Sequence, residues 1–378
     1  MSKTRKTKEE NEKNSEEEKK VTYSDDVIKK QLGKYGAVYF PSEIKDNINT
    51  IVGCDVQKER LSDFFKALKK YDEFKEQLKR ANLSPNLTIL LYGPPGTGKT
   101  TLTRAFAKEY DIPVCVVESY RLVSSLLGDT VKNITAVIDL AADIAKERGA
   151  FILFFDEIDA VGSERSNIHE VGEIKRAVIS FLQAIDRINY EGYPLAIIGA
   201  TNHQHQLDSA IWRRFTFHLS FEFPDFKLRK LIIESFLNKV KLTKIGIDKA
   251  IQIKLDDEIK KIQTIQQELE KKLGRNLSEF NDEIFWNEIE KTDLINGLLK
   301  LTHGYSGSDI ERGIRVALFK IIYTELLTYD LFYNSLKLVG GTALHVDTQY
   351  ELSNIRKESN KKGQIKSTKG ASNGPPEI

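Results

Sequence analysis

Apolar residues along this chain fall into short unbroken runs with longer amphipathic stretches between them. Residues 88–92, 112–117, 150–155 and 195–200 are runs of strand length, rich in β-branched and aromatic side chains, and read as buried strands. The stretches between them carry helical spacing. One covers 101–108, the next places Val131, Ile134, Val137, Ile138, Ala141 and Ala142 on one face, and a third runs over about 171–185. An earlier helix is marked by Leu61, Phe64, Phe65, Leu68, Tyr71 and Phe74. Strands alternating with helices predict a mostly parallel sheet covered on both faces, with its ligand at the carboxyl ends of the strands.

Outside this pattern the chain is polar. Residues 1–20 alternate Lys and Glu and are expected to form a disordered charged tail. Residues 21–48, with Tyr35, Val38, Tyr39 and Phe40 ahead of Pro41, are expected to form an arm or linker. Periodicity fades from Tyr333 onward, and 336–378, of which 354–378 is rich in Lys, Ser, Asn and Gly, reads as a flexible C-terminal tail. No internal repeat appears.

Composition narrows the class. The 378 residues are 40% hydrophobic, enough for a real core, yet no run approaches the length of a membrane span. The N-terminus has no apolar segment of the kind a secretory signal needs. A net charge of +2 gives no field argument for nucleic acid. Cys54 and Cys115 belong to no pairing motif, and the six histidines are scattered, with His203 and His205 read as loop residues. A reducing, cytoplasmic setting fits this usage.

The chemistry sits at strand ends. Gly93-Pro94-Pro95-Gly96-Thr97-Gly98-Lys99-Thr100 stands between the first run and its helix, the context a phosphate-binding loop requires. Glycines let backbone N–H groups turn inward around phosphate oxygens, and the helix start adds a favourable dipole. Pro95, Gly96, Thr97, Gly98, Lys99, Thr100 and Thr101 are the expected nucleotide contacts. Lys99 would reach the β- and γ-phosphates of ATP, and the Thr100 hydroxyl would ligate Mg²⁺. Asp156 and Glu157 directly follow the run 150–155. Asp156 is placed to hold Mg²⁺, and Glu157 to orient or deprotonate the attacking water. Asn202, just past the run 195–200, can bond the γ-phosphate or that water.

With Leu207-Asp208-Ser209-Ala210-Ile211-Trp212-Arg213-Arg214-Phe215 and Gly304-Tyr305-Ser306-Gly307-Ser308-Asp309-Ile310 added, these stretches resemble the AAA family of ATPases within the AAA+ superfamily. The resemblance covers about residues 48–335. It implies an α/β P-loop AAA+ fold: a parallel five-stranded sheet sandwiched by helices over 49–224, then a small α-helical lid over 225–335. It implies a ring of identical subunits, usually a hexamer, with ATP at subunit boundaries. Arg213 and Arg214 match arginine fingers that reach the neighbour's γ-phosphate. Val52 and Gly53 match the loop that packs on adenine, and Ser306 and Gly307 match lid residues near the adenosine. Leu126-Leu127-Gly128 aligns with the first pore loop, where polypeptide-threading relatives carry an aromatic in place of Leu126. Those leucines grip substrate or simply pack the loop onto its own helix.

The lid carries an insertion at about 245–292. Leu255, Ile259, Ile262, Gln266, Leu269 and Leu273 fall at four- and three-residue steps, Gly274 and Asn276 break the pattern, and Ile284, Phe285, Trp286 and Ile289 continue it. This reads as a helical hairpin of coiled-coil character projecting from the lid, either packed on itself or docking a partner or ring neighbour. The whole reads as a Mg-dependent ATPase ring that remodels or unfolds a protein substrate. The alternative is a switch whose nucleotide state controls a partner such as a protease or effector. Balanced charge and the lack of a base-stacking motif weigh against a nucleic-acid motor.

Overall fold

The structure, a computed structural model, describes residues 23–342 except 84, 123–128, 163–167, 244, 281, 293, 295–296 and 322–325. The expected N-terminal tail, most of the C-terminal one, and the pore-loop residues Leu126, Leu127 and Gly128 lie outside the described residues. The chain divides into two compact units. The first takes the residues up to Ile48, Val56–Tyr92 and Thr100–Leu219. The second takes Asn49–Asp55, Gly93–Lys99 and the chain from Ser220. The phosphate loop thus groups with the helical unit rather than with the α/β unit that precedes and follows it in sequence.

In the first unit six strands form one sheet: β1 (Gly36–Tyr39), β2 (Thr88–Tyr92), β3 (Val114–Glu118), β4 (Phe151–Asp156), β5 (Leu195–Thr201) and β6 (Phe217–Ser220), in the order β1-β3-β4-β5-β2-β6. The four central strands run parallel. They are apolar without alternation because both faces are covered, and every residue of β5 is buried. The helix Asp129–Arg148 lays Ile134, Val137, Ile138 and Ala141 into a core that also holds Leu153, Phe155, Phe181 and Ile185.

Among the described residues the sheet has six strands rather than the implied five, because the stretch expected as an arm or linker adds one of them. Asp25–Leu32 is a helix with Ser24 as its cap, and β1 pairs antiparallel with β3. Gly36 permits that approach, since a Cβ there would lie 2.0 Å from Val116 O. Four residues led by a glycine are too few to show a period, so β1 left no readable pattern.

The second unit is built on the helices Phe226–Lys241, Lys249–Leu273, Glu283–Glu290, Gly307–Ile321 and Tyr329–Val339, with β7 (Gly246–Ile247) parallel to β8 (Leu326–Leu327). Asp225, Asp248 and Thr328 each accept a backbone N–H as N-caps, and Gly274, at φ +68°, ends the longest helix. The insertion does not stand out as a separate hairpin. Ile251, Leu255, Ile262, Leu277, Phe285 and Ile289 share one core with Phe226, Ile233, Ile310 and Ile314. A helical stripe states that one face is buried and says nothing about what covers it. Among the described residues no helix is long and apolar enough to cross a membrane.

Candidate nucleotide site

Within the second unit the loop Gly93–Lys99 is held by close backbone approaches. Gly93, at φ +134°, lies where a Cβ would meet Phe221 O at 1.9 Å. Gly96, at φ +74°, faces the lid motif: Ser308 N–H donates to Gly96 O at 3.3 Å, and a Cβ on Gly96 would sit 2.1 Å from Ser308 Oγ. Lys99 is only 7% exposed, and its Nζ donates to Gly93 O at 2.7 Å and Pro94 O at 2.8 Å. Thr97 Oγ1 donates to Pro94 O. A buried ammonium turned into its own loop, held by carbonyls that phosphate oxygens can replace, fits a phosphate ligand. The helix Lys99–Glu109 begins at that lysine, so its first N–H groups belong to the same loop end.

The lid motif of the same unit is tightly bonded. Ser306 is fully buried, and its N–H and Oγ both donate to Asp309 Oδ2. Burial pushes the Asp309 carboxyl up, but hydrogen bonds from Ser306 and Thr342 more than offset this and hold it below the usual carboxylate value. Gly53, at φ +75°, packs where a Cβ would collide with Leu228 Cδ1 at 2.4 Å, which places the half-buried Val52–Gly53 segment against the first lid helix.

Within the first unit the strand ends gather the remaining residues. Thr100 Oγ1 lies 3.4 Å from Asp156 Oδ2 at the end of β4. A hydroxyl and a carboxylate form the oxygen-only set that suits Mg²⁺. Glu157 is exposed and has φ +53°. The turn it belongs to is bonded to the end of β5, since Ile158 N–H donates to Ala200 O. The buried Asp159 accepts from Thr201 Oγ1 at 2.6 Å, and that oxygen accepts from His203 N–H at 2.9 Å, fixing the backbone on both sides of the half-buried Asn202.

The two arginines differ. Both lie on the short helix Ser209–Arg214, capped by Asp208. Trp212 stacks on His218 at 4.4 Å and His218 Nε2–H donates to Trp212 O, so the helix is anchored to β6. Arg214 Nε lies 2.8 Å from Asp186 Oδ1, close enough for charge attraction though off the line a hydrogen bond needs. Arg213 is exposed, with no ion-pair partner among the described residues.

The family model described as "ATPase family associated with various cellular activities (AAA)" matches residues 89–223, from β2 through the phosphate loop and the arginine pair. Residues 89–223 thus carry the AAA ATPase domain of that family. The "Putative 26S proteasome regulatory subunit homolog" of Methanothermobacter thermautotrophicus is 29% identical over 214 residues, 56% of this chain and 54% of its own length. Spastin of Drosophila grimshawi is 33% identical over 192 residues, covering 50% of this chain and 23% of its own length. The AAA domain of FIGL-1, solved in complex with ADP, superposes with a TM-score of 0.57 at 20% identity over 89% of this chain and 98% of that one. The fold is therefore the AAA+ fold. The chain spans about half the length of the first curated AAA relatives it matches.

Of the sequence-expected site residues, the structure brings together Thr100 with Asp156 in one unit and the phosphate loop with Ser306 and Gly307 in the other. Sequence reasoning missed Ser119, Asp159 and Thr201 as partners of the acidic turn. All three are ordinary residues, and their place at or just past the ends of β3, β4 and β5 was the available signal.

Proposed function

We propose that this AAA protein hydrolyses ATP in the presence of Mg²⁺, in a ring of its own copies, and uses the cycle to remodel a protein partner. The observation that carries the reading is the acidic turn after β4. Asp156 faces the Thr100 hydroxyl, and Glu157 next to it is exposed on a backbone fixed by neighbouring strands. In this reading Lys99 and the loop N–H groups bind the β- and γ-phosphates. Glu157 accepts a proton from the attacking water, Asn202 orients that water, and Arg213 from a neighbouring copy stabilises charge in the transition state. Mg²⁺, held by Thr100 and Asp156, would neutralise phosphate charge. The similarity to a proteasome regulatory subunit homolog supports a protein partner over nucleic acid.

The test is Glu157→Gln, which keeps the shape and removes the base. Turnover should fall by two orders of magnitude or more while ATP affinity stays near wild type, roughly the worth of a positioned general base. Hydrolysis at the wild-type rate would refute the reading. The same variant, arrested with ATP bound, is the form in which to capture the partner.

Leu126, standing where threading relatives carry an aromatic, favours a second reading, a switch that signals its nucleotide state without pulling. If Leu126→Ala leaves partner-dependent activity intact while Glu157→Gln abolishes it, the switch reading prevails.

A further inference from the structure

The backbone of Glu157 sits in the left-handed region at φ +53°, which a residue with a side chain occupies only when its surroundings hold it there. Two backbone bonds contribute: Ile158 N–H to Ala200 O and Ala160 N–H to Glu157 O, both 2.9 Å. A third contact comes from the side chain of the residue that directly follows β3. Ser119 Oγ lies 2.7 Å from Asp156 O and 3.1 Å from Glu157 O. A serine hydroxyl has one proton, so this is a single donor shared between two consecutive carbonyls. Ser119 is 6% exposed, and water does not compete for the bond. Its position follows from the sheet. β3 and β4 pair in parallel with Glu118 opposite Asp156, so the residue after Glu118 reaches the turn after Asp156.

We propose that Ser119 is a positioning residue for hydrolysis: its hydroxyl fixes the peptide units of Asp156 and Glu157 and so sets the direction from which the Glu157 carboxylate meets water. The inference rests on the reading of Glu157 as the base. Ser119 touches neither nucleotide nor water in this role and acts through Glu157. Its removal therefore lowers turnover more than binding, because the nucleotide contacts of the phosphate loop lie elsewhere in the chain and the Asp156 side chain keeps Thr100 beside it. Cysteine matches serine in size but is a weak donor, whereas threonine keeps the hydroxyl. Packing and hydrogen bonding are thus separable at this position.

The experiment measures kcat, KM for ATP and thermal stability for Ser119→Ala, Ser119→Cys and Ser119→Thr, each also in a Glu157→Gln background. Ser119→Ala and Ser119→Cys should lose about tenfold in kcat with KM changed less than about twofold, and Ser119→Thr should recover most of the rate. In the Glu157→Gln background, Ser119→Ala should cause no further loss, since the group it positions is already gone. Should Ser119→Ala fail to fold, the Cys and Thr variants decide alone: Cys slowed with Thr active supports the role. Wild-type kcat in Ser119→Ala or Ser119→Cys, or a full additional loss in the Glu157→Gln background, overturns it. The two readings fail separately. Undiminished hydrolysis by Glu157→Gln removes the base, whereas an inactive Glu157→Gln beside a fully active Ser119→Ala removes only the role of Ser119.

Discussion

Two glycines of the phosphate loop, two residues apart, make different demands. Gly98, at φ +99°, has open space where a Cβ would stand, so an alanine there meets only the backbone penalty. Gly96 carries that penalty and a collision as well, with a Cβ 2.1 Å from Ser308 Oγ and 2.5 Å from Ser306 Oγ. Serine side chains usually rotate away, but Ser306 is fully buried and bonded to Asp309, so it resists. We expect Gly98→Ala to cost about 1 kcal/mol and Gly96→Ala roughly twice that, measured by denaturant unfolding without nucleotide. Equal losses for the two would show that the lid serines yield freely. Gly96→Ala should also weaken ATP binding more than its stability loss explains, because the displaced serines belong to the lid motif.

At the scale of elements, the lid insertion is tied in by charge as well as by its apolar stripe. Arg229, on the first lid helix, is fully buried, and its Nη2 bonds Glu279 Oε1 at 2.7 Å and Leu299 O at 2.9 Å. His303, one residue before the lid motif, places Nδ1 2.7 Å from the same carboxylate and stacks on Trp286 at 3.6 Å. Burial pushes Glu279 up, but the His303 hydrogen bond and the Arg229 charge outweigh it and hold the carboxyl below its ordinary 4.5. A folded-state value below the unfolded one stabilises the fold above the unfolded pKa, and that contribution is lost as pH falls through the folded one. Glu258 runs the other way. Its burial raises the carboxyl despite backbone donors at Leu299 and Lys300, so its contribution is present in acid and lost as pH rises. Glu279→Ala, which strands Arg229, should cost about 3–5 kcal/mol at about pH 7, and the deficit against wild type should shrink by about pH 4. Urea midpoints at the two pH values check both the size and the sign.

These elements also show what the sequence could say. The four central strands were legible because full burial on both faces leaves unbroken apolar runs, and Thr100, Asp156 and Asn202 were proposed from the sequence because they stand just past the ends of such runs, where α/β sheets place their ligands. β1 was hidden by its length and its glycine. The insertion showed its buried face through Leu255, Ile259 and Ile262, but periodicity does not name the surface it packs on. Ser119 stayed invisible because a hydroxyl bonded to another strand's carbonyls imposes no residue pattern nearby.

For the whole molecule, the question is whether one chain holds a complete site. Arg214 has Asp186 beside it in its own subunit, whereas Arg213 is exposed and without an ion-pair partner among the described residues. That asymmetry favours Arg213 over Arg214 as the arginine proposed to serve a neighbouring copy. Arg213→Ala should lower hydrolysis by about a thousandfold with ATP binding retained, and Arg214→Ala by less. A stronger test mixes two inactive proteins. On the proposed roles, Lys99→Ala should lose nucleotide binding but still offer Arg213, and Arg213→Ala should bind nucleotide but offer no arginine. In a randomly mixed ring a site works when its own subunit keeps Lys99 and its neighbour keeps Arg213, so an equal mixture should recover about a quarter of wild-type turnover. A self-contained site has no such route, because each chain lacks one of the two groups it needs. Activity that stays at zero on mixing, in rings shown to exchange subunits, would mean that Arg213 acts within its own chain and that the ring, if formed, does not share its sites.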